Sequence, residues 1–339
     1  MTRPHLHRLL PVVLLGLLCS AQTQQAQAQN CNRSCMAEVL DDYLQALTSN
    51  DPSQAPLATT YRHTENDVVQ VLGEGLWKTA TGLGAMQRQY FDEVSDQAVY
   101  YGTLSEGTAN SEGTADASGA TESGQLAVVA VRVHITNKQI DEAEWWVGRE
   151  SDPGINGEPG TTLWDPEYLT NGNPPLVRAV PRAERSTRDE LIYMTNSYWD
   201  YVVDRNPNIV AAHPGCYREE NGRKTVGNPM PAEHPEDGGL DGLTDCRTGS
   251  NNFNVANVTA RRWHVVDVEQ QVVVASALFV REPGNTKRRN HFCDVFYIDN
   301  GKIRGLYTAM YYVPPTRAVP NWAPFPGNFP LAESFGDTH

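Results

Sequence analysis

The chain has 339 residues and carries 41 acidic against 27 basic side chains, which gives a formal net charge of −14 at neutral pH. This excess of negative charge argues against nucleic acids and anionic membranes as partners, because both bind to basic surfaces. The sequence therefore predicts no nucleic-acid partner.

The first 28 residues are typical of a secretory signal peptide. A basic start precedes an apolar stretch at residues 9–18, and a small-residue cleavage site follows at residues 26–28. Cys19 raises lipid anchoring as an alternative, but Leu18 is not the small residue that lipoprotein processing usually needs. No later stretch is long and apolar enough to span a bilayer. We therefore expect a secreted or periplasmic protein that does not insert into a membrane after its signal is removed.

Five cysteines remain after removal of the signal. In an oxidising compartment they should pair where geometry allows. Cys31 and Cys35 are expected to staple the first helical turn, and Cys216 and Cys246 to close a loop-rich stretch. Cys293 lies in an apolar strand and is expected to be a buried free thiol. No C-x-x-C or H-x-H spacing supports zinc, so no metal site is predicted.

The region after the signal predicts an amphipathic helix and later strands. Apolar residues recur at helical spacing from Met36 to Leu47, and Pro52 follows as a helix stop. Two β-rich runs at residues 125–135 and 139–147 are separated by a short turn, which predicts a pair of adjacent antiparallel strands.

The same elements occur a second time. A capping box at residues 187–190 opens a helix with apolar spacing from Leu191 to Val202. Strands at residues 290–298 and 302–313 flank another turn. The second half of the chain is therefore expected to repeat the first.

Several positions in the two halves match at a single offset. Tyr43 and Tyr198 lie 155 residues apart, and the same offset carries Glu65 onto Glu220 together with the asparagine that follows each. Matches in one order at one offset argue for internal duplication. We expect two α+β domains, each a curved antiparallel sheet packed on helices. The predicted segments are a signal peptide at 1–28, a first domain at 31–150 with an insert at 105–124, a Pro/Gly-rich linker at 151–185, a second domain at 186–313 and a Pro-rich tail at 314–339.

Asp294 is the most informative acidic residue. Strand alternation places it on one face with Phe292, Phe296 and Ile298, and the repeat aligns it with Val131 of the first domain. A carboxyl buried on an apolar face has a raised pKa, which suits general acid or base catalysis. The alternative is a buried aspartate that bonds to an Arg or Tyr for structural reasons.

Arg262 and His264 alternate on another predicted strand and are expected to point the same way, towards an anionic or carbonyl group. His264 suits a general base, although a strand histidine also occurs as a structural or exposed residue. Glu65 and Glu220 each occupy a strand-to-turn position, which favours turn carboxylates that bond to backbone amides. The predicted catalytic residues are Asp294, His264 and Arg262, and the predicted substrate-binding residues are Tyr198, Tyr217, Glu220, Trp263 and Phe296.

The order of elements, with the turn Ile-Asp-Asn-Gly-Lys-Ile at residues 298–303, resembles the cone-shaped superfamily of nuclear transport factor 2, scytalone dehydratase, ketosteroid isomerase and SnoaL-like cyclases. More closely, residues 31–47, 62–77, 186–228 and 292–312 resemble an uncharacterised exported family of fungi and bacteria that has two such cones in tandem. The resemblance implies two nuclear transport factor 2-like cones, each around an apolar pocket.

The resemblance leaves the activity open. Some superfamily members catalyse cofactor-free proton transfer, dehydration, cyclisation or carbon–carbon lysis, whereas others only bind or assemble, and the fold alone does not decide between them. The prediction is a cofactor-independent lyase, isomerase or dehydratase that acts on a small apolar or aromatic molecule in the second cone. The alternative is a non-catalytic module for small-molecule binding or assembly.

Overall fold

The computed structural model describes Met1, residues 31–107, 125–227, 245–249 and 254–317, and Trp322. Nearly all of the predicted signal peptide, residues 108–124 of the predicted insert and most of the predicted tail lie outside these ranges.

Apart from the short helix α2, the described elements form two sets that repeat in the same order, as the duplication predicts. The first unit contains α1 (Arg33–Thr48), β1 (Leu57–Glu65), β2 (Val68–Gln70), α2 (Leu76–Thr79), β3 (Ala80–Asp92), β4 (Gln97–Glu106), β5 (Gln125–Thr136) and β6 (Gln139–Arg149). The second unit contains α3 (Arg188–Asp204), β7 (Ala212–Glu220), β8 (Arg223–Val226), β9 (Val255–Asp267), β10 (Val272–Arg281), β11 (Arg289–Asp299) and β12 (Lys302–Val313). The chain is therefore α+β, with few helices and long strands.

Local signals account for the ends of the two long helices. The side chain of Asn32 caps α1 by accepting a bond from the backbone N–H of Cys35. At α3, the Thr187 side chain and the Glu190 side chain form the reciprocal bonds of the predicted capping box. Arg205 ends α3 in a left-handed conformation.

Each unit builds one six-stranded sheet, in the orders β2-β1-β6-β5-β4-β3 and β8-β7-β12-β11-β10-β9. The predicted pairs of adjacent antiparallel strands are present and belong to longer meanders, because β3 to β6 and β9 to β12 pair antiparallel with their neighbours in sequence. The predicted antiparallel sheets are in fact mixed, since β1 runs parallel to β6 and β7 runs parallel to β12. Each parallel pair joins strands that are far apart in sequence, so no local turn signal reveals it.

The two sheets pack face to face. One apolar cluster lies between α1 and the first sheet, and another lies between α3 and the second sheet. A third cluster combines Tyr101 and Trp146 of the first sheet with Val274, Cys293 and Tyr307 of the second. The order of layers is therefore helix, sheet, sheet, helix, and both faces of each sheet are buried.

Two equivalent ion pairs cross between the units. Arg33 at the start of α1 bonds to Asp267 of the second unit, with a shortest N–O distance of 2.8 Å. Arg188 at the start of α3 bonds to Asp92 of the first unit at 2.7 Å. Because the two arginines are 155 residues apart, like the other matched positions, the units meet with approximate two-fold symmetry.

Both predicted disulfides, Cys31–Cys35 and Cys216–Cys246, are present, and Cys293 is buried and outside them. Disulfides are typical of an oxidising, extracytoplasmic compartment. Among the described residues, no helix combines the length and the apolar character that crossing a membrane requires.

Candidate functional site

A narrow cavity of about 10 Å³, which is room for about one water molecule, lies between α3 and the inner face of the second sheet. Its walls combine aromatic rings with charged and hydroxyl groups, contributed by Tyr198, Trp199, Arg218, Glu220, Phe279, Asn290, Phe292, Asp294, Leu306 and Thr308. Strand alternation predicted that Asp294 would face this side, and its carboxyl group lines the cavity.

The strand register explains why there is space beside Asp294. On β11 it pairs with Ala275 of β10 on one side and with Thr308 of β12 on the other. Both neighbours have small side chains, so the sheet leaves room above the carboxyl group. The aromatic ring of Trp199 on α3 closes the space from the helix side.

Asp294 accepts a hydrogen bond on each carboxyl oxygen. The indole Nε1 of Trp199 donates to Oδ2 at 3.1 Å, and Oγ1 of Thr308 donates to Oδ1 at 2.6 Å. Burial disfavours the charged form and outweighs these two donors, so the pKa of Asp294 is raised to about 7. The carboxyl group can therefore both release and take up a proton near neutral pH.

Arg218 on β7 brings a positive charge to the cavity. The side chain is 2% exposed, and it donates to the hydroxyl oxygens of Tyr198 and Thr225, both at 3.0 Å. Its Nε lies 3.5 Å from Oε2 of Glu220. Sequence reasoning did not select Arg218, although alternation along the strand places it on the same face as Glu220.

Four of the five predicted substrate-binding residues lie on the cavity side of the second sheet. Tyr198 and Glu220 line the cavity. Phe296 packs beneath it, with its ring centroid 5.8 Å from that of Tyr198 and 5.7 Å from that of Trp199. Trp263 lies further along, with its ring centroid 5.8 Å from that of Trp199.

Arg262, His264 and Tyr217 lie on the opposite face of the second sheet, so the expectation that the first two assist Asp294 is wrong. Arg262 bonds to both carboxyl oxygens of Glu144 in the first unit, at 2.8 and 2.5 Å. His264 pairs with the hydroxyl of Ser276 at 2.8 Å, and burial holds its pKa well below the usual value.

Strand alternation is the reason for this separation. On β9 the ring of Trp263 points towards α3, so its two neighbours in sequence point towards the first unit. The Tyr217 hydroxyl lies 2.9 Å from the Tyr307 hydroxyl, in the layer between the two sheets. The predicted catalytic set is therefore divided between the two faces of one sheet.

Large side chains fill the corresponding interior of the first unit. Val131 takes the place of Asp294, and its strand partners are Tyr100 and Trp145 instead of Ala275 and Thr308. All three side chains are fully buried. The positions that leave space in the second unit are thus occupied in the first.

A histidine in the first unit stands where the second has Arg218. The His63 ring packs between Tyr61 and Trp145, at centroid distances of 5.2 and 4.7 Å. Burial lowers the pKa of His63 to about 4, so the ring is neutral at physiological pH. This interior contains no counterpart of the Arg218 charge at that position.

The repeated Glu-Asn pair has one shared role and one that differs. Asn66 and Asn221 each bond through their side-chain amide to the backbone N–H and C=O of the adjacent long strand, at Val147 and at Met310. Glu65 accepts a bond from the backbone N–H of Leu76, at the start of α2, at 2.8 Å, and it pairs with Arg149 at 2.7 Å. Its equivalent Glu220 faces the cavity instead.

Among the described residues, Cys216, Asp245 and Cys246 are the only group with metal-binding geometry. The two sulfurs form a disulfide and offer no thiolate, and Arg247 bonds to the carboxylate of Asp245. These residues do not fit a metal ion.

In a comparison with known protein families, part of the chain that contains most of the second unit matches one family model. Residues 184–310 match a family model described as a domain of unknown function (DUF8021). The matched region contains α3 and most of the second sheet, including Asp294 and Arg218. No curated protein matches the chain.

Proposed function

We propose that the second unit is a nuclear transport factor 2-like cone in which Asp294 is the general acid–base group of a cofactor-independent lyase, isomerase or dehydratase. The observation that carries this proposal is a carboxyl group in a buried cavity with a pKa of about 7. Perturbed carboxyl groups of this kind are concentrated at functional sites.

The cavity residues suit a proton-transfer reaction. The Asp294 carboxylate removes a proton from a carbon next to a substrate carbonyl, and the electron pair moves onto the carbonyl oxygen. The Arg218 guanidinium stabilises that negative charge. The protonated Asp294 then returns its proton, either to another carbon in an isomerisation or to a departing hydroxyl group, which leaves as water. Every proton and electron pair is accounted for without a cofactor.

The walls of the cavity limit the substrate. Small-molecule sites have volumes of about 300–1,000 Å³, so this cavity of about 10 Å³ has to widen, by movement of the side chains that line it, before it admits even a compact molecule. The rings of Tyr198, Trp199 and Phe292 provide apolar contact on several sides. We infer a small apolar or aromatic substrate that carries one carbonyl or hydroxyl group. The two disulfides fit an encounter with that substrate outside the cytoplasm.

One observation favours a second candidate, a binding module without turnover. Both oxygens of Asp294 already accept bonds from the protein, and the cavity is so narrow that a water-sized sphere fits in only a small part of it. In this alternative the second unit binds or assembles without turnover, and Asp294 only contributes hydrogen bonds to its interior.

Proton exchange provides the test. Compact carbonyl compounds and hydroxy compounds would be screened for binding by thermal shift, and each ligand found would then be incubated with the protein in D₂O. We expect deuterium incorporation or product formation to fall about 100-fold or more in Asp294→Asn, the range for loss of a general acid or base. Asp200→Asn makes the same chemical change on α3, outside the cavity lining, and should leave the rate unchanged.

The outcomes separate the two candidates. Full turnover by Asp294→Asn would overturn the proposed mechanism. A ligand that binds both variants equally and never exchanges a proton would favour the binding module.

A further inference from the structure

After each unit, the chain crosses to the β-hairpin of the other unit. The backbone N–H of Asp165, in the segment that follows the first unit, donates to the carbonyl oxygen of Asn221 at 2.9 Å. The side chain of Arg317, which follows the second unit, donates to the carbonyl oxygen of Asn66 at 3.1 Å. Asn66 and Asn221 are equivalent positions, so the two crossings mirror each other.

A second pair of contacts repeats the symmetry. Asn173 donates to the carboxylate of Glu219 at 2.6 Å, and the indole Nε1 of Trp322 donates to Oγ1 of Thr64 at 2.8 Å. Thr64 and Glu219 are also equivalent positions, 155 residues apart. Trp322, in the predicted Pro-rich tail, is only 2% exposed. The ring is therefore an internal part of the structure.

The Trp322 ring is surrounded by polar and charged side chains from both units. The guanidinium of Arg132, from the first unit, lies 5.2 Å from the ring centroid. The guanidinium of Arg262, from the second unit, lies 5.9 Å from it. Thr64, which accepts the indole N–H, is itself fully buried. Two cations near a ring face and one acceptor at its edge are the features that recognise an aromatic N–H ring.

The charges of this site favour a neutral ring over an anion. Arg132 pairs with Glu142 at 2.8 Å, and Arg262 pairs with Glu144 at 2.5 Å. Each of these two guanidinium groups is therefore matched by a carboxylate and offers no uncompensated positive charge to an acid. The ring quadrupole still interacts favourably with the nearby guanidinium groups.

We propose that the junction of Thr64, Arg132 and Arg262 is a binding site for a planar aromatic ring with an N–H donor, of the indole type, which Trp322 occupies in cis. Trp322 is then an intramolecular ligand that contacts both units. This site lies between the two sheets, whereas the Asp294 cavity lies beneath α3. The inference therefore does not depend on the proposed catalytic function.

Chemical rescue tests the site in the full chain. Trp322→Ala should lower the melting temperature, and added indole should raise it again in a saturable manner, because a ligand that binds the folded state stabilises it by mass action. Indole should not raise the melting temperature of the wild-type protein, whose site is filled. The matched control is Trp77→Ala, which removes a buried tryptophan from the aromatic core of the first unit.

A preference for a ligand with an N–H group distinguishes a site that forms a hydrogen bond to the ring from an unspecific apolar cavity. In Trp322→Ala, indole should bind about fivefold more tightly than 1-methylindole, the ratio that corresponds to one neutral hydrogen bond. That preference should disappear when Thr64→Val is added. In Trp77→Ala we expect no preference for indole over 1-methylindole. Equal binding of both probes to Trp322→Ala, or no binding of indole, would overturn the proposal.

A double-mutant cycle keeps the test valid if Trp322→Ala does not fold. Trp322→Phe retains a ring but lacks the donor, so its melting temperature should drop. In a Thr64→Val background the same change should have a smaller effect, because the acceptor is already absent. Strictly additive effects of the two substitutions would contradict the bond on which the site is built.

Discussion

The interiors of the two units differ at three paired positions within matching sheets. The first unit has Tyr100, Val131 and Trp145, and the second has Ala275, Asp294 and Thr308. Two large rings are replaced by a methyl group and a hydroxyl side chain, and an isopropyl group is replaced by a carboxyl group. The same framework thus supports a filled core in one unit and a polar cavity in the other.

The comparison also shows how a buried carboxyl group is accommodated. Asp294 occurs together with two hydrogen-bond donors, Trp199 and Thr308, whose positions in the first unit hold Leu44 and the much larger Trp145. A buried carboxyl group without partners costs several kcal/mol. The three changes are therefore physically linked.

The largest expected effect is the loss of stability when a large side chain is removed from the interior of the first unit. Trp145→Thr copies the residue of the second unit and leaves a cavity under α1, which should lower the free energy of unfolding by about 3–5 kcal/mol. Urea unfolding measures it. Tyr193→Thr, at a side chain that is 67% exposed on α3, should change stability by less than about 1 kcal/mol. A Trp145→Thr loss no larger than that of the control would show that the first interior is not tightly filled.

The Asp294 carboxyl group should make stability depend on pH in the opposite sense to a salt-bridged aspartate. Its folded pKa of about 7 lies above an unfolded value of about 3.9. The folded state therefore keeps a proton that the unfolded state releases between these pH values, and wild-type stability falls across that window by up to about 4 kcal/mol.

Asp294→Asn mimics the protonated acid and tests this directly. The variant should be more stable than the wild type at pH 8 by a few kcal/mol, and the difference should vanish at pH 4. The measurement is urea unfolding of both proteins at the two pH values. The titration of all other groups affects both proteins equally and cancels in the difference between their free energies of unfolding. A difference that is the same at pH 4 and pH 8 would mean that the carboxyl group is not perturbed.

The smallest effect tests the symmetry of the framework. Arg33→Ala and Arg188→Ala each remove the partner of a buried aspartate, Asp267 or Asp92, and each should cost about 1.5–3 kcal/mol. The two losses should agree within about 1 kcal/mol, because the pairs are equivalent. Arg261→Ala breaks a pair with the half-exposed Asp200 and should cost about 0–1 kcal/mol. If Arg33→Ala and Arg188→Ala lowered stability by clearly different amounts, the two-fold symmetry would hold for the backbone but not for the energies of these ion pairs.

Much of the framework could be predicted from the sequence. The duplication follows from matches at one offset, the helices from apolar spacing and the capping box, and the disulfides from cysteine positions in an exported chain. The face of Asp294 follows from strand alternation alone, because its neighbours on that face are apolar. These are local properties, and each depends on a few adjacent residues.

Tertiary structure alone decided the rest of the site. Alternation shows that Arg262 and His264 share a face, but not which face meets α3, because apolar patterning no longer separates the faces when both sides of a sheet are buried. The role of Arg218, the parallel pairing of β1 with β6 and the burial of Trp322 depend on residues distant in sequence. The sequence by itself determined two α+β units with a carboxyl group facing an interior. Only the packing of sheet against sheet decided which polar residues share the cavity with it.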